Sequence, residues 1–171
     1  MAAKTFLRTG TGNELFDEVA GVVTSAGAGN DGDIPALDAA GRLDTSVMPV
    51  GIGADTASVL ASDNLAAGDL VNLWNNAGVV NARKADATTT GKQADGFVTA
   101  VATIGNPAVV FFDGTNALVT GLTVGKQWLS TVAGKSTATR PVASGNVQQP
   151  VGYATSATSL TFNVGETIKV A

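Results

Sequence analysis

The sequence predicts a mainly β protein: a small β-barrel or sandwich C-terminal domain preceded by an extended N-terminal arm and linker. Three observations predict it. From Thr56 onward, short apolar stretches alternate with Thr, Ser and turn residues at the spacing of short strands. The last third, Val124 to Val170, is almost uncharged and is built from apolar pairs separated by Thr, Ser and Gly. Residues 33–55 hold few apolar side chains, and turn formers separate them.

Residues 1–30 read as an arm. Asn13 is a candidate N-cap for a short helix over residues 13–23, with Leu15, Phe16, Val19, Val22 and Val23 approximating one apolar face. About eleven residues form a marginal helix in water, so this one would need a partner surface. Ser25-Ala-Gly-Ala-Gly-Asn-Asp-Gly-Asp33 breaks the periodicity and reads as a flexible link.

Residues 31–55 read as a trimerising linker. Ile34, Leu37, Leu43, Val47 and Met48 are apolar, but Asp38 to Gly41 and Pro49 to Gly53 are turn formers. So few apolar residues cannot enclose a core within one chain; copies packed around a symmetry axis could share one.

Residues 56–171 read as the β-domain. Expected strands are Ala57–Ala61, Asp69–Asn75, Val79–Lys84, Gly96–Ile104, Ala108–Phe112, Ala117–Thr120, Gln127–Val132, Val147–Ala154 and Ser159–Val164. Turn signals lie between them at Asn75 to Gly78, Gly105 to Pro107, Asp113 to Asn116 and Ala133-Gly134. The expected core is Leu70, Leu73, Val98, Val101, Phe111, Leu129, Leu160 and Phe162. No period of repetition suggests a solenoid.

Composition narrows the function. The chain has 171 residues and a net charge of −4; 14% are charged, against ~25% in typical soluble proteins, while 44% are hydrophobic. A surface so poor in charge suits burial against protein partners. Nucleic-acid binding needs clustered Lys and Arg, and no basic run occurs. With no Cys and no His, thiol nucleophiles, imidazole bases, disulfides and the commonest transition-metal ligands are absent. The N-terminus lacks the long apolar core of a signal peptide. The longest apolar run, Ala108 to Phe112, falls far short of the ~20 residues of a membrane helix. The expectation is a soluble chain made in a cytoplasm, with no membrane partner.

Several patterns imitate chemical motifs. Gly27, Gly29 and Gly32 have GxGxxG spacing, but Asp33-Ile34-Pro35 puts a carboxylate and a proline where a phosphate-binding helix should begin. Asn30, Asp31, Asp33, Asp38 and Asp44 miss the EF-hand order and read as turn residues, a structural ion on a symmetry axis being the alternative. Asp17 and Glu18 are adjacent and so diverge on the expected helix; Asp86, Asp95 and Asp113 fall in or beside turns, not in a convergent pair. Lys126 and Ser130 could be drawn as a dyad, yet on a strand that spacing separates them by about 13 Å. Trp74, Trp128, Phe111 and Phe162 could line a glycan platform, with core packing as the plainer reading. No cofactor, metal or catalytic residue is expected, and the chain reads as a non-enzyme.

The C-terminal third also resembles, in order and spacing, the β-domain that ends many bacteriophage fibre and capsid-decoration proteins. The matching residues are Trp128-Leu129-Ser130, Gly134, Pro141, Ser144 to Gln148, Pro150 to Gly152 and Ala154 to Asn163. Upstream, the segment IPALDAAGRLD…VMPVGIGAD is similar to a linker in trimeric phage fibres and head proteins. The likeness covers roughly residues 25 to 171. It implies a homotrimeric capsid decoration (cement) protein on the capsid surface of a virion, synthesised in the host cytoplasm. Its partners would be itself and the major capsid protein, with a host glycan as a further candidate ligand. Phe6, Leu7, Leu15, Phe16, Val19, Val22 and Val23 would grip the capsid; Ile34, Leu37, Leu43, Val47 and Met48 would form the trimer interface. A short tail fibre or spike component, or a receptor-binding head fibre, is the alternative; the lack of a long shaft favours the capsid.

Overall fold

The computed structural model describes residues 5–9, 16–48 and 53–171. The chain divides into two units, Met1–Gly53 and Ala54–Ala171, close to the expected start of the β-domain. Among the described residues there is no α-helix; strands predominate, with two short 3-10 turns.

In the first unit, β1 (Thr5–Thr9) and β2 (Phe16–Ala20) form an antiparallel hairpin. The helix expected over residues 13–23 is therefore not formed where the chain is described: Phe16–Ala20 is a strand. The physical reason lies in what pairs with it. A short isolated helix has only its own hydrogen bonds, whereas Thr5–Thr9 offers a ladder and matching side chains. Phe6 stands opposite Val19, and Arg8 opposite Asp17 in an ion pair of 3.7 Å. The Thr5 hydroxyl donates to Glu18 Oε1 at 2.5 Å. Cross-strand partners of this kind each contribute a few tenths of a kcal/mol, up to about 1. Farther on, Val22 bridges Pro35 in parallel, with Val22 N–H donating to the Ile34 carbonyl and Ala36 N–H to the Val22 carbonyl. Arm and linker thus belong to one unit. The expected helix cap Asn13 and the expected turn residues Pro49 to Ile52 lie outside the described residues.

The second unit opens with a closed five-stranded barrel in the order β3-β5-β4-β6-β7. Its strands are β3 (Thr56–Ala61), β4 (Leu70–Asn76), β5 (Val79–Lys84), β6 (Gly96–Val98) and β7 (Pro107–Phe111). β3 runs parallel to β5 and antiparallel to β7, and closure leaves the barrel without free edges. Five strands enclose little space, and the interior is filled by small and medium side chains: Ala61, Leu65, Val71, Ala82, Val98, Ala102, Ala108 and Val110. Strict alternation selects them. Along β7, Ala108 and Val110 point in while Pro107 and Val109 point out.

The rest of the unit covers one side of the barrel. β8 (Gly114–Asn116), β9 (Gly125–Leu129), β10 (Ser136–Thr137), β12 (Pro150–Ser156) and β13 (Ser159–Phe162) form a sheet in the order β10-β9-β12-β13-β8. A small ladder joins β11 (Val147–Gln148) to β14 (Ile168–Lys169). Leu129, Val151, Leu160 and Phe162 from this half pack on Leu70, Ala85, Ala87, Ala94 and Phe97 from the barrel half. Phe97 is the centre of the contact: it stacks on Phe111 at 5.4 Å between centroids and meets Phe162 edge-on at 5.6 Å.

Buried polar groups join the two layers as well. Asp69, fully buried, pairs with Lys84 of the barrel at 3.5 Å and with Lys135 beside β10 at 2.6 Å. Its other oxygen interactions include the Ala66 N–H. Gln149 reaches Ala94 as a strand would, accepting from its N–H and donating to its carbonyl. Asn116 donates to the Gly68 carbonyl.

Most expected strands are present, with shifted ends. Gly96–Ile104 shortens to Gly96–Val98, because Leu65 and Ala102 then meet in a single bridge and Val101 turns outward, 73% exposed. Val101 is therefore not core. The strand expected at Ala117–Thr120 is displaced to Gly114–Asn116, where it pairs with β13 and sinks the Asn116 amide into the layer contact. Leu73 and Phe111 are partly buried; Leu70, Val98, Leu129, Leu160 and Phe162 are core.

The β4–β5 turn carries a local misfit. Its two central residues, Ala77 and Gly78, have φ of 52° and 90°, as a type I′ turn demands. Ala77 is the one described non-glycine residue with positive φ. Ala77→Asn should raise stability by about 0.5–1 kcal/mol, since Asn tolerates that region at lower cost; chemical denaturation of the two proteins measures it. Asp69→Ala should cost about 2–4 kcal/mol by removing charge-assisted hydrogen bonds and leaving the Ala66 N–H unpaired, read in the same experiment.

Candidate functional site

Acidic residues are committed locally. Asp38 Oδ1 accepts from the N–H groups of Ala40 and Arg42, closing a turn. Asp44 accepts from Ser46, a bond that holds its carboxyl below the ordinary range and starts the 3-10 turn Thr45–Val47. Asn30 accepts from Ala26 N–H and donates to Asp33, so the glycine motif Gly27 to Gly32 is a 3-10 turn plugged by its own side chain. Among the described residues no group of three or more acids could hold a metal ion. These Asx residues act as turn formers, the expected reading.

Asp95 and Asp86 of the second unit are also held by hydrogen bonds. Burial pushes Asp95 upward in pKa, against the pull of the Leu73 N–H and the Asn72 amide, which both donate to it. Burial also opposes ionisation of Asp86, but the Thr88 hydroxyl and N–H and the Lys92 ammonium outweigh it and lower the pKa. Lys126 and Ser130 do not form a dyad. The Ser130 hydroxyl accepts from Val132 N–H within its turn, whereas the Lys126 ammonium lies 4.5 Å over the Trp128 ring.

The unusual surface is the first unit. None of its described residues is buried. Thr5, Leu7 and Thr9 share one face of the hairpin with Ala20, Glu18 and Phe16. Leu7 and Phe16 are diagonal neighbours there, 74% and 67% exposed. The opposite face leans inward: the ring of Phe6 and the Cβ of Ala36 lie against Gly21, so that a Cβ at 21 would approach them at 3.0 and 2.8 Å. Of the residues expected to grip a capsid, Phe6, Phe16 and Val23 are exposed with Leu7, while Val19 and Val22 are half-buried. Leu15 lies outside the described residues.

The residues expected at a trimer interface fall in the same unit. Leu37, Leu43 and Met48 are exposed; Ile34 and Val47 are half-buried. Val22, Pro35, Val47 and Met48 line one shallow cavity of about 350 Å³, floored by Ser25, Asn30, Asp33 and Ser46. Two sets of residues read separately in the sequence therefore meet.

The aromatic platform divides. Phe111 and Phe162 pack in the layer contact with Phe97. Trp74 is half-buried, its Nε1 donating to the Ser62 hydroxyl with Arg83 over the ring at 4.8 Å. Trp128 faces outward on β9, flanked by Lys126 and by Arg140 at 5.9 Å. Tyr153 stands opposite Lys126 on β12. Tyr153 and Arg140 were not picked out in the sequence, although the alternation Lys126-Gln127-Trp128 beside Gly152-Tyr153-Ala154 would have found the face.

No protein-family model, curated protein or solved structure matches the chain.

Asp86 gives a pH test. Its lowered pKa means the ionised form is favoured by folding, a contribution present above the ordinary carboxylate value of 3.8 and lost as pH falls through the folded value. Asp86→Asn should cost about 1–2 kcal/mol at neutral pH, and the difference from wild type should close on acidification below 3.8 in a series of thermal melts. A double substitution, Leu7→Ser with Phe16→Ser, should leave the unfolding of the second unit within about 0.5 kcal/mol of wild type.

Proposed function

We propose that this chain is a structural virion protein, a homotrimeric capsid decoration protein that binds and stabilises a phage head shell. The observation that carries the reading is the first unit, in which no described residue is buried although Phe6, Leu7, Phe16, Leu37, Leu43 and Met48 are present. A two-stranded hairpin with turns cannot stand alone in water. Its apolar side chains gain a dry environment only against another surface, and each large one contributes up to ~1.5–3 kcal/mol before ordering costs. Ala54–Ala171, with its closed barrel and two apolar clusters, needs no such help.

The division of labour follows. Leu37, Leu43, Val47 and Met48, with Ile34, meet copies of themselves around a three-fold axis. The hairpin carrying Phe6, Leu7 and Phe16 lies on the major capsid protein. Its two strand edges are unpaired among the described residues, so strand addition to a capsid edge is the mode of contact. Three arms on one trimer meeting a lattice of pre-spaced sites multiply weak contacts into avidity. The protein acts by adhesion, not catalysis, at the outside of the virion. A receptor-binding fibre is the second reading, favoured by the outward Trp128 and Tyr153 face.

Two measurements test this. Light scattering at micromolar concentration should give a trimer, and Leu43→Asp with Val47→Asp should release monomers that keep their β circular dichroism; a wild-type monomer overturns the symmetric linker. Deleting residues 2–24 should leave a soluble trimer that no longer binds undecorated capsids. Unchanged binding by that truncation would place the grip elsewhere.

A further inference from the structure

The outward face of the second sheet has a shape and charge that capsid adhesion does not use. Alternation turns Leu129, Leu160 and Phe162 toward the barrel and leaves Lys126, Trp128 and Thr161 on the other side. An irregularity in β12 after Pro150 breaks the alternation there, so that Val151 points inward and Tyr153 outward. Tyr153 is the hub of that side, opposite Lys126 on one neighbouring strand and Thr161 on the other, and is 54% exposed. Beside it runs a shallow groove of about 450 Å³, within the range of small-ligand sites.

A backbone requirement makes the groove. Gly152 adopts φ of +134°, and a Cβ there would run into the Thr161 carbonyl. The register between β9 and β12 slips at this point, between Pro150 and Gly152. Pro150, Tyr153 and Asn163 line the groove with Gly152.

The electrostatics are one-sided. Lys126 lines the groove and no carboxylate does. Lys126 and Arg140 both lie over Trp128, and neither is in an ion pair among the described residues. In a chain of net charge −4, two cations without acidic partners are held beside one another by an indole face. The side chains of Thr161 and Asn163 make no hydrogen bond to another side chain or backbone group among the described residues, which leaves neutral donors and acceptors at the rim.

We propose that this groove binds an acidic oligosaccharide, with a sugar ring against Tyr153 and its carboxylate toward Lys126. A pyranose presents an apolar C–H face, which suits an aromatic ring, and a rim of hydroxyls, which suits Thr161 and Asn163. Its carboxylate supplies the charge that Lys126 and Arg140 lack. The groove is small, lined by eight residues, whereas a stable protein interface buries on the order of 1,000 Å² or more and takes about 20–30 residues a side. The site uses no residue of the capsid-binding reading; it rests on the Trp128 and Tyr153 face that favours the receptor-binding reading and names the ligand class for it.

The test is a panel of immobilised uronate-containing and sialylated glycans, each beside its methyl-esterified neutral form, probed with the full-length protein at low salt. At least one acidic glycan should be retained and its neutral ester should not. Retention should fall by about tenfold or more in Lys126→Ala and in Tyr153→Ala, fall less in Arg140→Gln, and return in Lys126→Arg. Melting curves check that each variant is folded. Failure to retain any acidic glycan above its ester, or retention unchanged by Lys126→Ala and Tyr153→Ala, overturns the proposal. The same variants are applied to undecorated capsids. Normal capsid binding without glycan retention sinks the groove alone, and loss of capsid binding in Lys126→Ala would make this face a protein contact and overturn it equally.

Discussion

A single buried carboxylate ties the second unit together. Asp69 sits at the start of β4, and its two oxygens reach Lys84 on the barrel and Lys135 on the approach to β10. Desolvating a lone carboxylate would cost several kcal/mol, so the site is tolerable only because both ammonium groups and the Ala66 N–H are aimed at it. The lysines remain partly exposed, which spares the fold from burying three charges at once. Gly134 completes the arrangement: a Cβ there would come within 2.8 Å of the Asp69 carboxyl carbon. Its carbonyl accepts from Leu70 and its N–H donates to Ala85, so backbone and carboxylate lock the same place. The apolar contact centred on Phe97 joins the two layers, but apolar packing is non-directional. The carboxylate and the Gln149 and Asn116 amides fix which strand faces which.

The two units illustrate opposite solutions for a chain with few charges. Ala54–Ala171 hides its apolar side chains twice, inside a barrel and between the barrel and a sheet. Met1–Gly53 hides none of its described ones completely. Its order comes from a hairpin ladder, a parallel bridge and Asx-capped turns, all of which satisfy backbone groups without excluding water. Such a segment has a defined shape but no buried residue among those described.

The acidic side chains and Ser130 are largely engaged in local structure. Asp38 and Asp44 cap turns, Asp69 and Asp86 hold lysines, Asp95 accepts from Leu73 N–H and the Asn72 amide, and Ser130 is spent on its own turn. What remains free is of another kind. It consists of aromatic rings, two cations over one indole, and a groove lined by a glycine.

The sequence by itself determined the class of fold, the strand-rich second half and the turn roles of Asp38, Asp44 and Asn30. Those depend on periodicity two and on local side-chain-to-backbone bonds, both written within a few residues. It also determined Val79–Lys84, where a strand follows a turn signal directly. Tertiary structure decided the rest. Phe16–Ala20 became a strand because Thr5–Thr9 lay ready to pair with it, a partner that helical spacing cannot reveal. Val101 turned outward because Leu65 captured Ala102. Tyr153, Lys126 and Thr161 came together only through pairing of three strands distant in the chain, and Asp69 found Lys135 across 66 residues. Local pattern sets what a segment can become, and long-range pairing, which no window of sequence contains, sets what it meets.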